Sequence, residues 1–436
     1  MIDFNNSKNA FSDKSDFDLF RAFFLFKTLN YPIISKFLTV ILKVILYLRI
    51  PIDFLIKLTI FKQFCGGETI SDSSKTIDKL WKSSIGTILD YSAEGQENED
   101  DFKNAFDETL KVLDIAKDNS KIPFVVFKLT GLIQFNILKK ISKKQELNEK
   151  ENATLIRFNK RLDIICKKAK KINKPIFIDA EESWIQTAID SIAFSLMKQF
   201  NKEKVLIFNT VQMYRHDRLA YLMNLSKIAQ EENFKIGLKI VRGAYHEKEI
   251  ERALEKGYTI PVHEKKSDTD KDFNNALKFC IENINHISIC SGTHNIESSM
   301  YLLKLMEEKS IENNDDRIYS SQLLGMSDNI SYNLSNANYN VSKYVPYGPV
   351  KKVIPYLIRR AEENRSISGQ MGRELKNILD WYKDNGVITI AGGQHFIEDN
   401  IEEGLSSGID YIVRGEGEDT IKELLLALAG KKDLSE

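Results

Sequence analysis

Cysteine is scarce in this chain, and the four present, Cys65, Cys166, Cys280 and Cys290, are far apart with no CxxC among them. That excludes a disulfide framework and a thiolate zinc site, and it fits reduced thiols in a cytoplasmic setting. Charge of one sign is missing as well. Lys plus Arg total 62 and Asp plus Glu total 62, so nothing points to nucleic acid, and the expected ligand is small. His216, His263 and His286 do not fall at metal-ligand spacing, and no metal is expected. Residues 1–18 are polar, without the basic start and apolar run of a signal peptide. A long uninterrupted apolar run is also absent. Residues 20–64 are rich in apolar side chains, but Lys27, Lys36, Lys43, Arg49, Asp53 and Lys57 interrupt them before the ~20 residues of a spanning helix accumulate. This stretch reads as amphipathic helices, broken or kinked at Pro51. They either cover a core or lie peripherally on the inner face of a membrane with lysines at the headgroups.

What the chain does have is a large apolar fraction, 42% of 436 residues. That is enough for one barrel of roughly 250 residues with additions, or for two smaller domains. Short apolar runs suggest strands at 85–90, 123–129, 175–179, 205–211, 236–241, 286–292, 317–323 and 341–346. Helical patterns lie between them, for example Trp184 to Phe200, Arg218 to Asn233, Phe273 to Asn283 and Glu297 to Lys309. Strands alternating with helices imply a parallel sheet, and eight such units suggest an α/β fold of the (β/α)8 barrel type. The segments are then an N-terminal helical region at 1–80, the barrel at 81–380 and a short βαβα-like appendage at 381–436. Residues 146–151 read as linker or helix surface.

Barrels of this kind carry their chemistry at the carboxyl ends of the strands. The polar residues found there are Asp90 and Glu94, Lys128, Asp179, Gln212, Lys239 with Arg242-Gly-Ala-Tyr245, Thr293-His294-Asn295, Gln322 and Tyr344. After the eighth strand, helical spacing sets Tyr356, Arg359, Arg360 and Glu363 on one stripe. Val353, Ile354, Leu357, Ile358 and Ala361 form a different, apolar one. Two adjacent guanidiniums can fork a small carboxylate, although a solvated face would read the same way. Lys128 and Lys239 lie within apolar runs, where an ammonium requires a bound anion or a carboxylate partner. Asp179 is either a hydrogen-bonded strand-end carboxylate or a group orienting substrate or neighbouring cations. Thr293-His294 would serve equally as a cap for the next helix. From these residues alone, a Schiff-base aldolase or lyase using Lys128 or Lys239, or a non-catalytic scaffold, stays open.

Eight motifs in barrel order, ILDYSAEG (88–95), FIDAEES (177–183), NTVQMY (209–214), LKIVRGAY (238–245), SGTHN (291–295), QLLGM (322–326), YVPYG (344–348) and YLIRRAEEN (356–364), resemble the flavin-dependent proline dehydrogenases. FKQFCGGE (61–68) is similar to the helical lead-in of the single-function members, and the resemblance covers roughly residues 15–380. It implies oxidation of L-proline to 1-pyrroline-5-carboxylate by hydride transfer to N5 of FAD, with electrons passed to a membrane quinone. It assigns Arg359, Arg360 and Lys128 to the proline carboxylate, and Tyr344, Tyr356 and Leu323 to packing on the pyrrolidine ring. Glu94 would pair with Arg359 in the empty enzyme. Lys239 would lie at the N5 edge, Gln212 and Arg242 at the flavin and its phosphates. Ala244, Tyr245, Thr293 and His294 would make the remaining cofactor contacts, with Glu363 grouped beside them.

Past about Asp380 that resemblance stops. Residues 386–395 and 408–420, with the helix 421–428, resemble the second half of a cobalamin-binding domain of radical SAM proteins. The half that would carry the cobalt-ligating histidine is missing, as is any CxxxCxxC cluster motif, so neither cobalamin nor an iron-sulfur centre is expected. The pattern is β-α-β-α with parallel strands at 387–391 and 410–413, too small to bury both sheet faces alone.

Overall fold

The computed structural model describes residues 2–4, 6–30, 53–92, 97–366, 370–388, 390–392, 405, 409–413 and 418–428. The chain divides into two compact units, Met1–Ile2 with Leu42–Glu363, and Asp3–Ile41 with Asn364–Glu436. This division differs from the segments 1–80, 81–380 and 381–436, since residues 364–380 group with the ends of the chain.

The first unit holds eight strands: β1 Gly86–Tyr91, β2 Val125–Phe127, β3 Ile176–Ile178, β4 Ile207–Gln212, β5 Ile236–Val241, β6 Ile287–Gly292, β7 Ile318–Leu323 and β8 Val341–Tyr347. They run β1-β8-β7-β6-β5-β4-β3-β2, every pair parallel. The Thr87 N–H donates to the Lys121 carbonyl at 2.7 Å just ahead of β2, which nearly closes the ring. With helices such as Ser183–Phe200, Arg218–Glu231 and Ile296–Glu308 between the strands, this is a (β/α)8 barrel.

The limits of β2 and β3 are narrower than the apolar runs because the backbone turns at the charged ends. Lys128 already caps the short 3-10 turn Leu129–Gly131, and Asp179 follows the last residue of β3. One helix begins at Lys266 rather than Phe273, its polar first turns joined by a Lys266–Asp270 ion pair at 2.5 Å. Residues 146–151 contain a capping box, Asn148 with Glu151, opening the helix Glu149–Lys171.

Aromatic rings plug the barrel. Phe124 stacks on Phe177 at 4.2 Å and meets Tyr319 edge-on at 4.8 Å, in a cluster with Ile88, Val126, Phe208, Cys290 and Tyr344. Strand alternation then sends Asp90, Lys128, Asp179 and Lys239 inward, above those rings. The FCGGE segment runs along β8, with the Gly66 N–H donating to Pro346 O at 2.8 Å and the Gly348 N–H to Gly67 O at 3.1 Å.

The second unit contains the helices Ser7–Ala10, Asp16–Asn30, Gln370–Asp384 and Glu418–Leu428 and a parallel pair, β9 Ile390–Gly392 and β10 Tyr411–Val413. Tyr382 donates to the Asp16 carbonyl at 3.4 Å, and Lys383 faces Asp410 at 3.7 Å. Phe17, Phe20 and Phe24 are exposed along the helix Asp16–Asn30. Residues 31–52, including Pro51, lie outside the described residues. Among the described residues no helix is long and apolar enough to cross a membrane.

Candidate active site

The centre of the barrel mouth is a buried triad from β3, β5 and β8. Lys239 Nζ is ion-paired to Asp179 Oδ1, donates to the Tyr344 hydroxyl at 2.5 Å and lies 4.4 Å from the centroid of the Tyr344 ring. Tyr344 in turn donates to Asp179 Oδ1 at 3.2 Å. Burial first, and the Asp179 carboxylate second, push the Tyr344 hydroxyl well above the ordinary phenol range, so it remains a donor. The anion that the Lys239 environment requires is thus an internal carboxylate. Leu323 packs against the same aromatic cluster.

Around this triad lies a second set of charges. Asp90 accepts from Ser92 Oγ at 2.7 Å, and burial raises its carboxyl, with Lys128 opposing and Asp179 adding to the rise. Lys128 is also within electrostatic range of Glu181 and Tyr245, and Arg359 reaches the same tyrosine. Lys128, from the turn after β2, and Arg359, from the last barrel helix, are therefore both within electrostatic range of Tyr245 in the loop after β5.

The last barrel helix, Val350–Ser366, bears on the alternative of a solvated face. Tyr356 is 5% exposed and Arg360 9%, on the same side as Val353, Ile354 and Leu357. The Arg360 guanidinium sits 5.1 Å from the centroid of the Tyr356 ring, so the pair belongs to the interior and not to a solvated face. Glu94 and the side chain of Glu363 lie outside the described residues.

The remaining polar residues line the ends of β4 to β7. Gln212 Oε1 accepts from the Ala244 N–H at 3.1 Å. Arg242 donates to Asp270 at 2.6 Å, to Thr293 Oγ1 at 2.6 Å and to Ser298 Oγ at 2.9 Å. Gly243 has φ +140°, and a Cβ there would meet the Tyr214 ring at 2.5 Å, which explains the glycine of RGAY. Asn295, not Thr293-His294, caps the helix Ile296–Glu308, accepting from Ser298 N–H at 2.8 Å. This leaves His294 to bond Ser327 Oγ at 3.0 Å. The His216 and His263 rings, unrelated by spacing, meet edge to face at 4.5 Å. Among the described residues no group of three His, Cys, Asp or Glu could hold a metal.

A flavin nucleotide needs cationic donors for its diphosphate and neutral donors for its ring edges. Arg242 can supply the first and Gln212, the Ala244 N–H, Thr293 and His294 the second, with the Lys239 ammonium placed for the ring edge that gains negative charge on reduction, so the donor set fits. Lys343 was not singled out by the sequence, and the partner of Glu181 in the FIDAEES motif could not be read from it. Lys343 is wholly buried, paired with Asp328 at 2.7 Å and donating to Met326 O at 2.6 Å beneath the QLLGM loop. Glu181 bonds Thr130 across 51 residues.

A sequence profile described as proline dehydrogenase matches residues 73–373. The chain belongs to the proline dehydrogenase family. It is 33% identical over 415 residues to "Proline dehydrogenase 1, mitochondrial" of Dictyostelium discoideum, covering 84% of this chain and 72% of that one. Likewise it is 32% identical over 313 residues to "Carbapenem antibiotics biosynthesis protein CarD" of Pectobacterium carotovorum, covering 72% of this chain and 81% of that one. Among solved structures, proline utilization A of Bdellovibrio bacteriovorus, inactivated by N-propargylglycine, superposes with TM-score 0.64 at 21% identity. That match covers 73% of this chain but only 35% of the solved one, and it bears on the fold alone. Proline dehydrogenases are FAD-dependent oxidoreductases of proline catabolism, and family membership displaces the Schiff-base and scaffold alternatives.

Proposed function

We propose that the chain oxidises L-proline to 1-pyrroline-5-carboxylate and delivers the electrons to a membrane quinone. The observation that carries this reading is that Lys128 and Arg359 both lie within electrostatic range of Tyr245 at the barrel mouth that holds the buried Asp179–Lys239–Tyr344 triad. An amino acid with a small apolar ring needs a cationic clamp for its carboxylate and a dry wall for its ring, and both are supported there. Lys128, Arg359 and Arg360 take the carboxylate, the planar guanidiniums fixing its orientation as a lone ammonium would not. Tyr344, Tyr356 and Leu323 pack on the ring and keep water from the carbon beside nitrogen. Glu94 and Glu363 are assigned to gating and to the cofactor side by resemblance alone.

Gln212, Lys239, Arg242, Ala244, Tyr245, Thr293 and His294 hold the cofactor edge. Bound FAD supplies the acceptor for the hydride and its two electrons. Asp179 fixes the Lys239 ammonium, which favours negative charge on its neighbour, while the Tyr344 hydroxyl remains protonated. The chemistry is assigned to segment 81–380, with 1–80 as lead-in and 381–436 as an appendage of unassigned role. Peripheral binding of the N-terminal region to the inner membrane face would bring the site to its quinone. Incubation with L-proline and a soluble quinone should yield the cyclic imine, detected by chemical trapping. Flavin-loaded protein that gives no imine would overturn the proposal.

A further inference from the structure

Glu181 lies three residues beyond the end of β3 and is 5% exposed. Both of its carboxylate oxygens are taken by Thr130, whose N–H donates to Oε1 at 3.2 Å and whose hydroxyl donates to Oε2 at 2.5 Å. Thr130 sits in the turn that Lys128 opens, so this carboxylate clamps the segment carrying the substrate lysine. The Glu181 carbonyl accepts from Gln212 Nε2 at 2.7 Å, and Gln212 Oε1 accepts from the Ala244 N–H at 3.1 Å. One residue therefore ties together the ends of β2, β3, β4 and β5.

The charged and titratable groups facing it are Lys128 from the turn after β2, Glu182 from its own loop and Tyr245 from the loop after β5. Glu182 is itself paired with Lys248, and Arg359 reaches Tyr245 from the last barrel helix. Burial dominates and pushes the Glu181 carboxyl up to about 7, with Lys128 the main opposing influence. A substrate carboxylate arriving at Lys128 is a second anion beside the same ammonium. Two like charges sharing one cation in a buried site do not ionise independently.

We propose that Glu181 is a positioning residue for Lys128 whose negative charge competes with the substrate carboxylate, so that anion binding at the barrel mouth takes up a proton. This rests on the assignment of Lys128 to the substrate carboxylate under the proposed function. The probe is tetrahydrofuran-2-carboxylate, which has the ring and carboxylate of proline but no titrating amine, bound to the flavin-loaded protein and followed by the flavin absorbance. For the wild-type protein the dissociation constant should rise by up to about tenfold from pH 6 to 8, the span around a group titrating near neutrality. Asp90 from the end of β1 also faces Lys128 and is raised by burial, so in Glu181→Gln the rise should shrink to less than half of the wild-type one on a logarithmic scale, the remainder belonging to Asp90. A Glu181→Gln protein that keeps the wild-type rise, or a wild-type protein that lacks it, overturns the inference.

Thr130→Val provides a second route should Glu181→Gln fail to fold. Loss of the hydroxyl donor should raise the Glu181 titration further and move the profile to higher pH, and an unmoved profile overturns the inference. The two readings fail separately. Flavin that proline cannot bleach, together with the expected pH profile for the probe, sinks the proposed reaction alone. Bleaching by proline with pH-independent probe affinity sinks only the role of Glu181.

Discussion

Asp179→Asn probes the triad most directly, because it removes one charge and keeps the shape. The Lys239 side chain is 6% exposed and that of Asp179 13%, so the ammonium left behind is nearly dry. Breaking a buried pair at one end costs about 3–5 kcal/mol, chiefly through the uncompensated charge. The Tyr344 hydroxyl at 2.5 Å still accepts from Lys239, which offsets about 1 kcal/mol. The net expectation is about 2–4 kcal/mol, or roughly 5–10 °C in thermal midpoint for a large domain. The proteins should be unfolded without FAD, since a bound ligand adds stability that depends on its own affinity and Lys239 is placed at the cofactor edge. Adding Lys239→Met to Asp179→Asn removes the stranded ammonium and should regain at least half of the loss. A single variant within about 0.5 kcal/mol of wild type, or a double variant that merely sums the two losses, would refute the argument.

Two further outcomes follow from the same geometry. Arg359→Met or Arg360→Met should raise KM for proline about 10–100-fold, the worth of a charge-assisted bond, with bound flavin unchanged. Flavin lost at constant proline affinity would mean that the helix faces the other ligand. For pH, the folded Glu181 carboxyl holds its proton up to about 7 whereas the unfolded one releases it near 4.5. The folded state then binds more protons in that window, so this group lowers stability as pH rises through it. Asp90, also raised by burial, acts with the same sign. Urea midpoints measured across the window should decline less in Glu181→Gln, the missing slope being on the order of 3 kcal/mol.

The barrel and its strand ends were legible because each apolar run stops at a charged or polar residue, as at Asp90, Lys128, Asp179 and Gln212. Periodicity alone left two readings open at the last helix, a solvated face and an inward stripe. Tyr356 and Arg360 share a stripe with Arg359, yet packing buries both, and nothing local to a helix reports which stripe meets a neighbour. Lys343 was invisible for a related reason: a parallel barrel covers both faces of every strand, so a lysine pointing away from the lumen is as buried as one inside it. The clamp between Thr130 and Glu181, like the Lys239–Asp179 pair, joins residues 50 or more positions apart. Only the closed ring brings them together. Asn295 outranked Thr293-His294 as a helix cap because its side chain reaches Ser298 N–H directly, freeing His294 for Ser327.

The central claim is that this barrel mouth transfers two electrons from proline to a bound flavin. An anaerobic titration of the flavin-loaded protein with L-proline tests it in one step. The visible flavin band should bleach as proline is added, returning when a quinone is supplied. A flavin that stays oxidised at saturating proline, in a protein that binds FAD, would contradict the account.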